Sequence, residues 1–427
     1  MEEKVNGKKG LVSLSPMLVF LATYASSSIV ANDFYAASII VSFLIASLYA
    51  VCIFRNRSIE SRFAVLARGA AKEDIMTMVL FFILAGAFAA TAKQMGAIEA
   101  TVNLTLSLMP IKMMLCGLFI ASCFVSLSVG TSVGTIAALT PIACGIAEKT
   151  EMNTALLVAV IVGGAFFGDN LSIISDTTIM ATKTQGCEMK DKFRYNLKLA
   201  LPAAIITCIL YLILGTEVTG EVIKHDFNYL LIIPYIYILV AALCGLNVML
   251  LLSTGTILAA AIGLCLGKIT LLDWSNAMNS GIMGMGELII VTLLAGGLIE
   301  VIRETGGIEY LKRIFTSKIK SKRGAEISLA GLVVLTDFCT ANNTIAILTV
   351  GPLAKEISAL YKTNPRRTAS ILDTFSCFAQ SIIPYGAQLL IAGGLASINP
   401  VEITPYLYYP FILGIIAFLH IIINHEK

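Results

Sequence analysis

Long apolar runs, each close in length to a membrane-spanning helix, recur from one end of this chain to the other. A helix needs about 20 residues to cross the hydrocarbon core of a bilayer. The period-2 alternation of a membrane β-barrel strand does not occur in these runs. The pattern therefore predicts about ten helical crossings and two helical hairpins. Uninterrupted crossings are expected near 11–31, 36–54, 75–92, 199–215, 229–245, 247–267, 288–302 and 405–423, interrupted ones near 153–182 and 367–396, and hairpins near 111–148 and 326–360.

Two stretches of the chain have corresponding sequence patterns, which indicates an internal repeat. The first is GTSVGTIAALTPIA (130–143) leading into GGAFFGDNLSIISDTTIMA (163–181), and the second is CTANNTIAILTVGPLA (339–354) leading into DTFSCFAQSIIPYGAQLLIA (373–392). Broken, polar segments in corresponding positions of two apolar halves indicate the binding site of a secondary transporter. The prediction is an all-α membrane protein with two inverted-topology repeats, each containing a re-entrant hairpin and a broken helix.

This repeat divides the chain into four parts. Residues 1–74 are predicted to form N-terminal scaffold helices, 75–215 the first repeat, 229–267 linking scaffold helices and 284–423 the second repeat. The basic and apolar residues of 55–74 suit a helix lying at the membrane interface, and a solvated loop is an equal alternative.

Composition and charge place these parts in a membrane. Apolar residues make up 57% of the chain and charged residues 13%, which excludes an ordinary soluble domain. Most of the 30 Lys and Arg residues fall in segments on one side of the predicted topology, and that side is cytoplasmic by the positive-inside rule. We therefore expect a multi-pass protein of the bacterial inner membrane with both termini in the cytoplasm. The counterpart of 93–109, an external segment, is the basic and cytoplasmic segment 303–323, so the two repeats have opposite orientations.

The first interruption carries many side-chain oxygens. Irregular backbone within a bilayer survives only inside protein or beside a water-filled cavity, and a break near 168–176 would free carbonyl groups. Carboxylate, amide and hydroxyl oxygens suit a hard cation such as Na⁺. The alternative is that the two aspartates cap helices at a membrane edge. The candidates here are Asp169, Asn170, Ser172, Ser175, Asp176 and Thr177.

The second interruption and the two hairpin tips supply further candidates. Intramembrane carboxylates mark ion or proton paths by default, and one carboxylate can hold either a proton or Na⁺. Small hydroxyl residues at the first tip could instead serve only helix packing. The candidates are Asp373, Gln380 and Tyr385 in the interruption, Thr131 and Thr135 at the first tip, and Asp337, Asn342, Asn343 and Thr344 at the second. Asp169, Asp176 and Asp373 are the predicted Na⁺ ligands.

At GGAFFGDNLSIISDTTIMAT, ANNTIAI and NPRRTASILDTFSCFAQSIIPYGAQLLIA the chain resembles the NhaC family of bacterial Na⁺/H⁺ antiporters, in the ion transporter superfamily. The resemblance spans about 75–423. It implies a mobile transport domain that moves like an elevator against a scaffold, often in a homodimer, with the candidates above forming two walls of one site. Ile173 departs from the family pattern, where proline is usual, which puts the local kink in question.

The leading functional hypothesis is exchange of Na⁺, and of Li⁺, for H⁺ by alternating access. The alternative is Na⁺- or H⁺-coupled transport of a small organic acid or amino acid, which would call for a basic residue deep in the site. No such residue is evident, since Arg366 and Arg367 are expected in a cytoplasmic loop. We expect no enzymatic activity, no cofactor besides the transported ions and no nucleic-acid partner. An intramembrane aspartyl protease would need a Tyr-Asp motif, which does not occur, and a glycine where Phe166 stands.

Overall fold

The structure is a computed structural model that describes residues 7–31, 38–54, 57–108, 110–172, 175–216, 228–244, 246–316 and 319–423. Its regular elements, over these residues, are all helices, as predicted. The first half contains α1 (Gly7–Ala31), α2 (Ile39–Ile53), α3 (Ile59–Ala70), α4 (Glu73–Gln94), α5 (Ala97–Leu108), α6 (Met114–Val129), α7 (Ser132–Thr150), α8 (Thr154–Leu171), α9 (Asp176–Gln185) and α10 (Met189–Thr216). The second half contains α11 (Ile233–Leu243), α12 (Val248–Cys265), α13 (Leu271–Gly284), α14 (Gly286–Glu304), α15 (Gly307–Thr316), α16 (Lys322–Thr340), α17 (Asn343–Tyr361), α18 (Pro365–Ile382), α19 (Ala387–Ala396), α20 (Pro400–Ile403) and α21 (Tyr408–Ile423).

The described helices are those of a multi-pass membrane protein. Seven helical segments are long and apolar enough to cross a bilayer, and nine are if each of two sharply bent helix pairs counts as one span. The segments 10–24, 39–53 and 229–238 are shorter apolar helices. The predicted number of crossings therefore stays a prediction, as do the four-part division of the chain and the opposite orientation of the repeats.

Two helical hairpins lie where they were predicted. In the first, α6 ends at Gly130, whose φ of +74° allows the chain to turn into α7. In the second, α16 ends at Ala341, which adopts the left-handed conformation with φ +47° although it is not a glycine. Such a residue costs free energy and persists where its surroundings hold it. The Ala341 N–H donates to the Asp337 carbonyl at 2.7 Å, which closes the end of α16.

Two helices are interrupted after the hairpins. The first interruption separates α8 from α9 between residues 172 and 175, and Ile173, with its predicted kink, lies outside the described residues. The second interruption separates α18 from α19 and contains Pro384. Glycines on α8 serve another purpose, because a Cβ on Gly168 would lie 2.3 Å from the Ser126 Cβ of α6. These glycines let α8 approach α6 closely.

The hairpins and the interrupted helices cross-pack. The second limb of the first hairpin, α7, contacts α19, and the second limb of the other hairpin, α17, contacts α9. The first halves of the two interrupted helices, α8 and α18, also contact each other. This arrangement encloses both interruptions and positions the polar side chains that follow.

The amphipathic stretch 55–74 is a helix over most of its described length. A Cβ on Gly69 of α3 would lie 2.5 Å from the Gly296 carbonyl oxygen of α14, so the two helices pack almost backbone to backbone. Ion pairs reinforce this contact, because Lys72 pairs with Glu300 and Arg57 pairs with Glu304 at 2.8 Å. The solvated-loop alternative is therefore wrong for residues 59–70.

Candidate ion-binding site

Asp169 lies in the last turn of α8, where the N-terminal ends of three other helices meet it. Ser175, the N-cap of α9, donates its hydroxyl to Oδ1 at 2.7 Å. Ser132, the first residue of α7, donates to Oδ2 at 3.0 Å, and Asn343, the first residue of α17, donates its amide to Oδ2 at 3.4 Å. The side chain is nearly inaccessible, since Asp169 is 6% exposed. Because a helix N-terminus carries partial positive charge, these ends stabilise the ionised carboxylate.

Asp373 lies in α18 and is 0% exposed. Its Oδ2 forms an ion pair with the Lys192 ammonium of α10 at 2.7 Å. The same oxygen accepts hydrogen bonds from the amides of Asn170 at 2.9 Å and Asn196 at 2.8 Å. A buried carboxylate is costly unless an opposite charge and hydrogen bonds compensate it. Lys192 therefore provides Asp373 with a positively charged partner, whereas the donors to Asp169 named above are neutral.

Asn170 joins the two carboxylates into one group. It follows Asp169 in the chain, and its side chain bonds Asp373 and the Thr374 hydroxyl, the latter at 3.2 Å. Its backbone carbonyl accepts from the Lys192 ammonium at 2.6 Å. We call this group the Asp169–Asp373 cluster, and its members are Asp169, Asp373, Asn170, Lys192, Asn196, Ser132, Ser175, Asn343 and Thr178.

The second interruption is bonded to both hairpin tips. The Gln388 amide of α19 donates to Ser132 at 3.0 Å, at the first tip. The Gln380 amide of α18 donates to Gln388 at 2.8 Å and to the Ala341 carbonyl, at the second tip, at 3.1 Å. The left-handed Ala341 is therefore held by polar contacts that run through Ser132 to Asp169. Direct hydrogen bonds therefore connect both tips to the cluster.

The oxygens of the cluster are of the kinds that bind cations. Buried carboxylate, carbonyl, hydroxyl and amide oxygens from six helices, α7, α8, α9, α10, α17 and α18, converge, and such oxygens are the ligands that hard cations prefer. The Oδ1 of Asp373 and the Oδ1 of Asn196 have no hydrogen-bond partner among the described residues.

Comparison with known proteins agrees with an ion-transport site. The model of the Na⁺/H⁺ antiporter family matches residues 8–216 and 222–424. This chain belongs to that family. It is 24% identical to the Na⁺/H⁺ antiporter NhaC of Bacillus subtilis over 83% of this chain and 84% of that protein. It is 23% identical to the NhaC of Alkalihalophilus pseudofirmus over 70% and 71% of the two chains. It is also 19% identical to the malate-2H⁺/Na⁺-lactate antiporter of Bacillus subtilis over 78% of each chain. The expected family membership is confirmed.

Asp337 lies outside the cluster of this antiporter-family protein. It is fully buried in the last turn of α16, and neither of its carboxylate oxygens has a hydrogen-bond partner among the described residues. Gln380 Oε1 is also without one. The second hairpin tip therefore carries a carboxylate with no direct polar compensation from the described side chains, unlike Asp169 and Asp373.

Other predicted residues are placed around the cluster or away from it. Asp176 is exposed at the start of α9, so it does not join the two buried aspartates. The Tyr385 hydroxyl is turned to the Phe338 carbonyl at 2.7 Å, and Thr135 bonds its own helix. At the first interruption, Thr177 bonds Ser175, and Ser172 donates to the Leu127 carbonyl. At the hairpin tips, Thr131 is the N-cap of α7, Asn342 caps α17, and Thr344 follows Asn343.

Four members of the cluster, Ser132, Thr178, Lys192 and Asn196, were not among the predicted site residues. Lys192 and Asn196 fall in a segment rich in charge, which read as a cytoplasmic loop. In the structure they lie four residues apart on the buried face of α10, which continues through Ala200, Ala203 and Thr207. Residues with this spacing share one face of a helix. Extending the helical period of the apolar span backwards from Ala203 would have placed Lys192 on its buried side.

The expectation that no basic residue lies deep in the protein is wrong. Lys192 is 1% exposed and sits at the cluster. Arg367, expected in a loop with Arg366, is also buried, and it pairs with Glu326 at 2.7 Å. Both cations are hidden because each meets a buried carboxylate on a neighbouring helix, a tertiary contact that local sequence does not reveal.

Proposed function

We propose that this protein exchanges Na⁺, and Li⁺ as a close substitute, for H⁺ across the bacterial inner membrane by alternating access. The proposal rests on one observation. Two buried aspartates, one from each interrupted helix, belong to the same polar cluster inside an antiporter-family protein. Cation binding and proton binding then compete for the same carboxylate oxygens. That competition is the minimal basis of exchange.

The groups that contact the two aspartates differ, and we propose different roles for the two carboxylates on that basis. The Asp373 carboxylate, the Asn170 carbonyl and the Thr178 hydroxyl converge on one cation, the Lys192 ammonium, and such oxygens also suit Na⁺. Three helix N-termini surround Asp169, which keeps an anion stable within the bilayer. We propose that Na⁺ binds on the Asp373 side and that Asp169 or Asp373 receives the proton in exchange. Asp337, Gln380 and Gln388 form the other wall, at the second tip.

The large-scale motion is also a proposal. Elements α6–α10 and α16–α19 would move together, as an elevator, against the remaining helices of a homodimer whose termini lie in the cytoplasm. The cross-packing of α7 with α19 and of α17 with α9 supports a single moving unit. A cavity of about 870 Å³ lies between α4, α5, α7, α13 and α19, and its lining residues include Lys93, Glu99, Glu148 and Lys149.

Coupled transport of an organic acid is the second candidate. The similarity to a malate-2H⁺/Na⁺-lactate antiporter and the presence of a buried ammonium at the cluster favour it. Against it, Lys192 already pairs with Asp373, and the cluster side chains are within direct hydrogen-bonding distance of one another. That spacing suits a bare ion better than a dicarboxylate.

Inverted vesicles loaded with a pH-sensitive dye separate the two functions. Respiration acidifies the interior, and addition of Na⁺ or Li⁺ is expected to dissipate the gradient in vesicles that carry the protein but not in vesicles that lack it. A response to malate or lactate with none to Na⁺ alone would favour the organic-acid carrier. No response to any of these solutes would contradict both.

A further inference from the structure

The Lys192 ammonium is coordinated like a bound metal cation. Its three N–H groups point to three oxygens, namely Oδ2 of Asp373 at 2.7 Å, the Asn170 carbonyl at 2.6 Å and the Thr178 hydroxyl at 2.6 Å. An ammonium has three donors and no acceptor, so these contacts satisfy it fully. The oxygens are one carboxylate, one carbonyl next to a helix interruption and one hydroxyl. This is a donor set for a hard monovalent cation.

The same position is the part of the cluster that best suits Na⁺. The carboxylate at Asp169 faces three helix N-termini, whose partial positive charge opposes a cation. Two further buried oxygens in this part of the cluster, Asp373 Oδ1 and Asn196 Oδ1, have no hydrogen-bond partner among the described residues. Two positive charges a few ångströms apart in a buried site repel each other strongly. Na⁺ and the ammonium therefore exclude each other at Asp373.

We propose that the Lys192 ammonium is a tethered cation that occupies the Na⁺ position at Asp373 and must be displaced when Na⁺ binds. This inference rests on the proposed function. The ammonium sits on a flexible four-carbon stem, in the first turn of α10. The preceding residue, Asp191, pairs at 2.9 Å with Arg366, whose side chain is 55% exposed, so the surface is one residue away.

Displacement has a functional consequence for the empty site. With Lys192 bound, Asp373 is neutralised, and the cluster can remain buried while no Na⁺ is present. With Na⁺ bound, the metal ion takes over that compensation. A carrier built this way avoids leaving an uncompensated charge inside the bilayer at either stage of its cycle.

The test compares Na⁺ binding to purified wild-type protein and to Lys192→Met, in detergent, by thermal unfolding in NaCl or choline chloride. Methionine keeps an unbranched stem and removes the charge. Without the tethered competitor, the Na⁺ concentration for half-maximal stabilisation is expected to fall at least about fivefold, the lower end of measured coupling between ligands. A folded Lys192→Met with an unchanged or higher Na⁺ midpoint would overturn the proposal.

Folding of Lys192→Met is itself informative, because the variant leaves Asp373 without its partner. Recovery of folded protein in NaCl but not in choline chloride would support the proposal, since Na⁺ would then replace the missing ammonium. Failure to recover it in either salt would contradict it. A second variant, Lys192→Arg, keeps the positive charge, and its Na⁺ midpoint should be no lower than that of the wild type.

Arg367→Met is the matched control. It also removes a buried cation from a buried carboxylate, Glu326, but at a position outside the cluster. Its loss of stability should be the same in NaCl and choline chloride. Wild-type protein that responds to Na⁺, together with a Lys192→Met midpoint that does not fall, would overturn this inference alone. Wild-type protein with no Na⁺ response in binding or in vesicles would overturn the proposed function as well.

Discussion

Asp169 and Asp373 each lie in the first half of an interrupted helix, Asp169 near the end of α8 and Asp373 in the middle of α18, yet they are stabilised in different ways. Asp169 meets neutral donors at three helix N-termini, from Ser175, Ser132 and Asn343. Asp373 meets a full positive charge from Lys192 and two amides. One carboxylate is thus stabilised by partial charges that cannot leave, and the other by a cation that can. The difference indicates that Na⁺ exchange depends on the Asp373 side, whose partner is itself a cation, while Asp169 keeps its neutral donors.

Loss of the Asp373 charge is expected to have the largest effect. Asp373→Asn leaves the Lys192 ammonium buried without a counter-ion, and breaking a buried pair costs about 3–5 kcal/mol. Thermal unfolding in detergent should show this loss, and Na⁺-driven proton movement in vesicles should be abolished. The double variant Asp373→Asn with Lys192→Met removes both charges and should recover much of the stability but not the transport. Equal stability of Asp373→Asn and wild type would refute the ion pair.

Asp169→Asn should separate stability from transport. Asparagine can keep polar contacts with Ser132 and Ser175, so the loss of stability should be no more than the penalty for one poorly satisfied buried group, about 1–3 kcal/mol. Transport should nevertheless be abolished, because the carboxylate is gone. Vesicle assays at matched protein levels measure the second effect. Wild-type exchange in this variant would remove Asp169 from the mechanism.

The close contact between Gly168 and Ser126 tests the position of Asp169 without changing its charge. Gly168→Ala would place a Cβ against Ser126 of α6 and shift the last turn of α8. Overpacking of this kind typically costs about 1–3 kcal/mol, and exchange should slow because Asp169 moves with the helix. Gly284→Ala is the control, since nothing lies within 4 Å of a Cβ at that position of α13. Similar losses in both variants would argue against a specific α6–α8 contact.

Asp176 should matter least. It was a predicted Na⁺ ligand, but its side chain is exposed at the start of α9, unlike those of Asp169 and Asp373. Asp176→Asn is therefore expected to retain near wild-type exchange, with a small loss of stability of about 0.3–1 kcal/mol from the helix N-terminus. Initial rates of dye dequenching over a range of Na⁺ concentrations check this. Loss of exchange comparable to that of Asp169→Asn would restore Asp176 to the site.

The comparison also explains why sequence reasoning found one carboxylate environment more completely than the other. Three of the polar residues around Asp169 belong to the first interruption and the hairpin tips, and two of them, Ser175 and Asn343, were predicted. The partners of Asp373 come from α10, which begins in a charged segment, and these were not predicted. Hydrophobicity marks a helix face only where apolar residues dominate it, and the first turns of α10 mix buried and exposed charges.

By itself, the sequence determined the helical membrane class, the two hairpins, the positions of both interruptions and the candidate aspartates, because these depend on local hydrophobicity, on proline and on the cost of a polar residue in an apolar run. Only the tertiary structure decided which of those aspartates share a cluster, that Asp176 is exposed, and that Lys192 lies against Asp373. Those outcomes depend on which helix faces meet. Lys192 is buried because Asp373, on a helix of the other half of the chain, compensates its charge, and α10 gives no local sign of that partner.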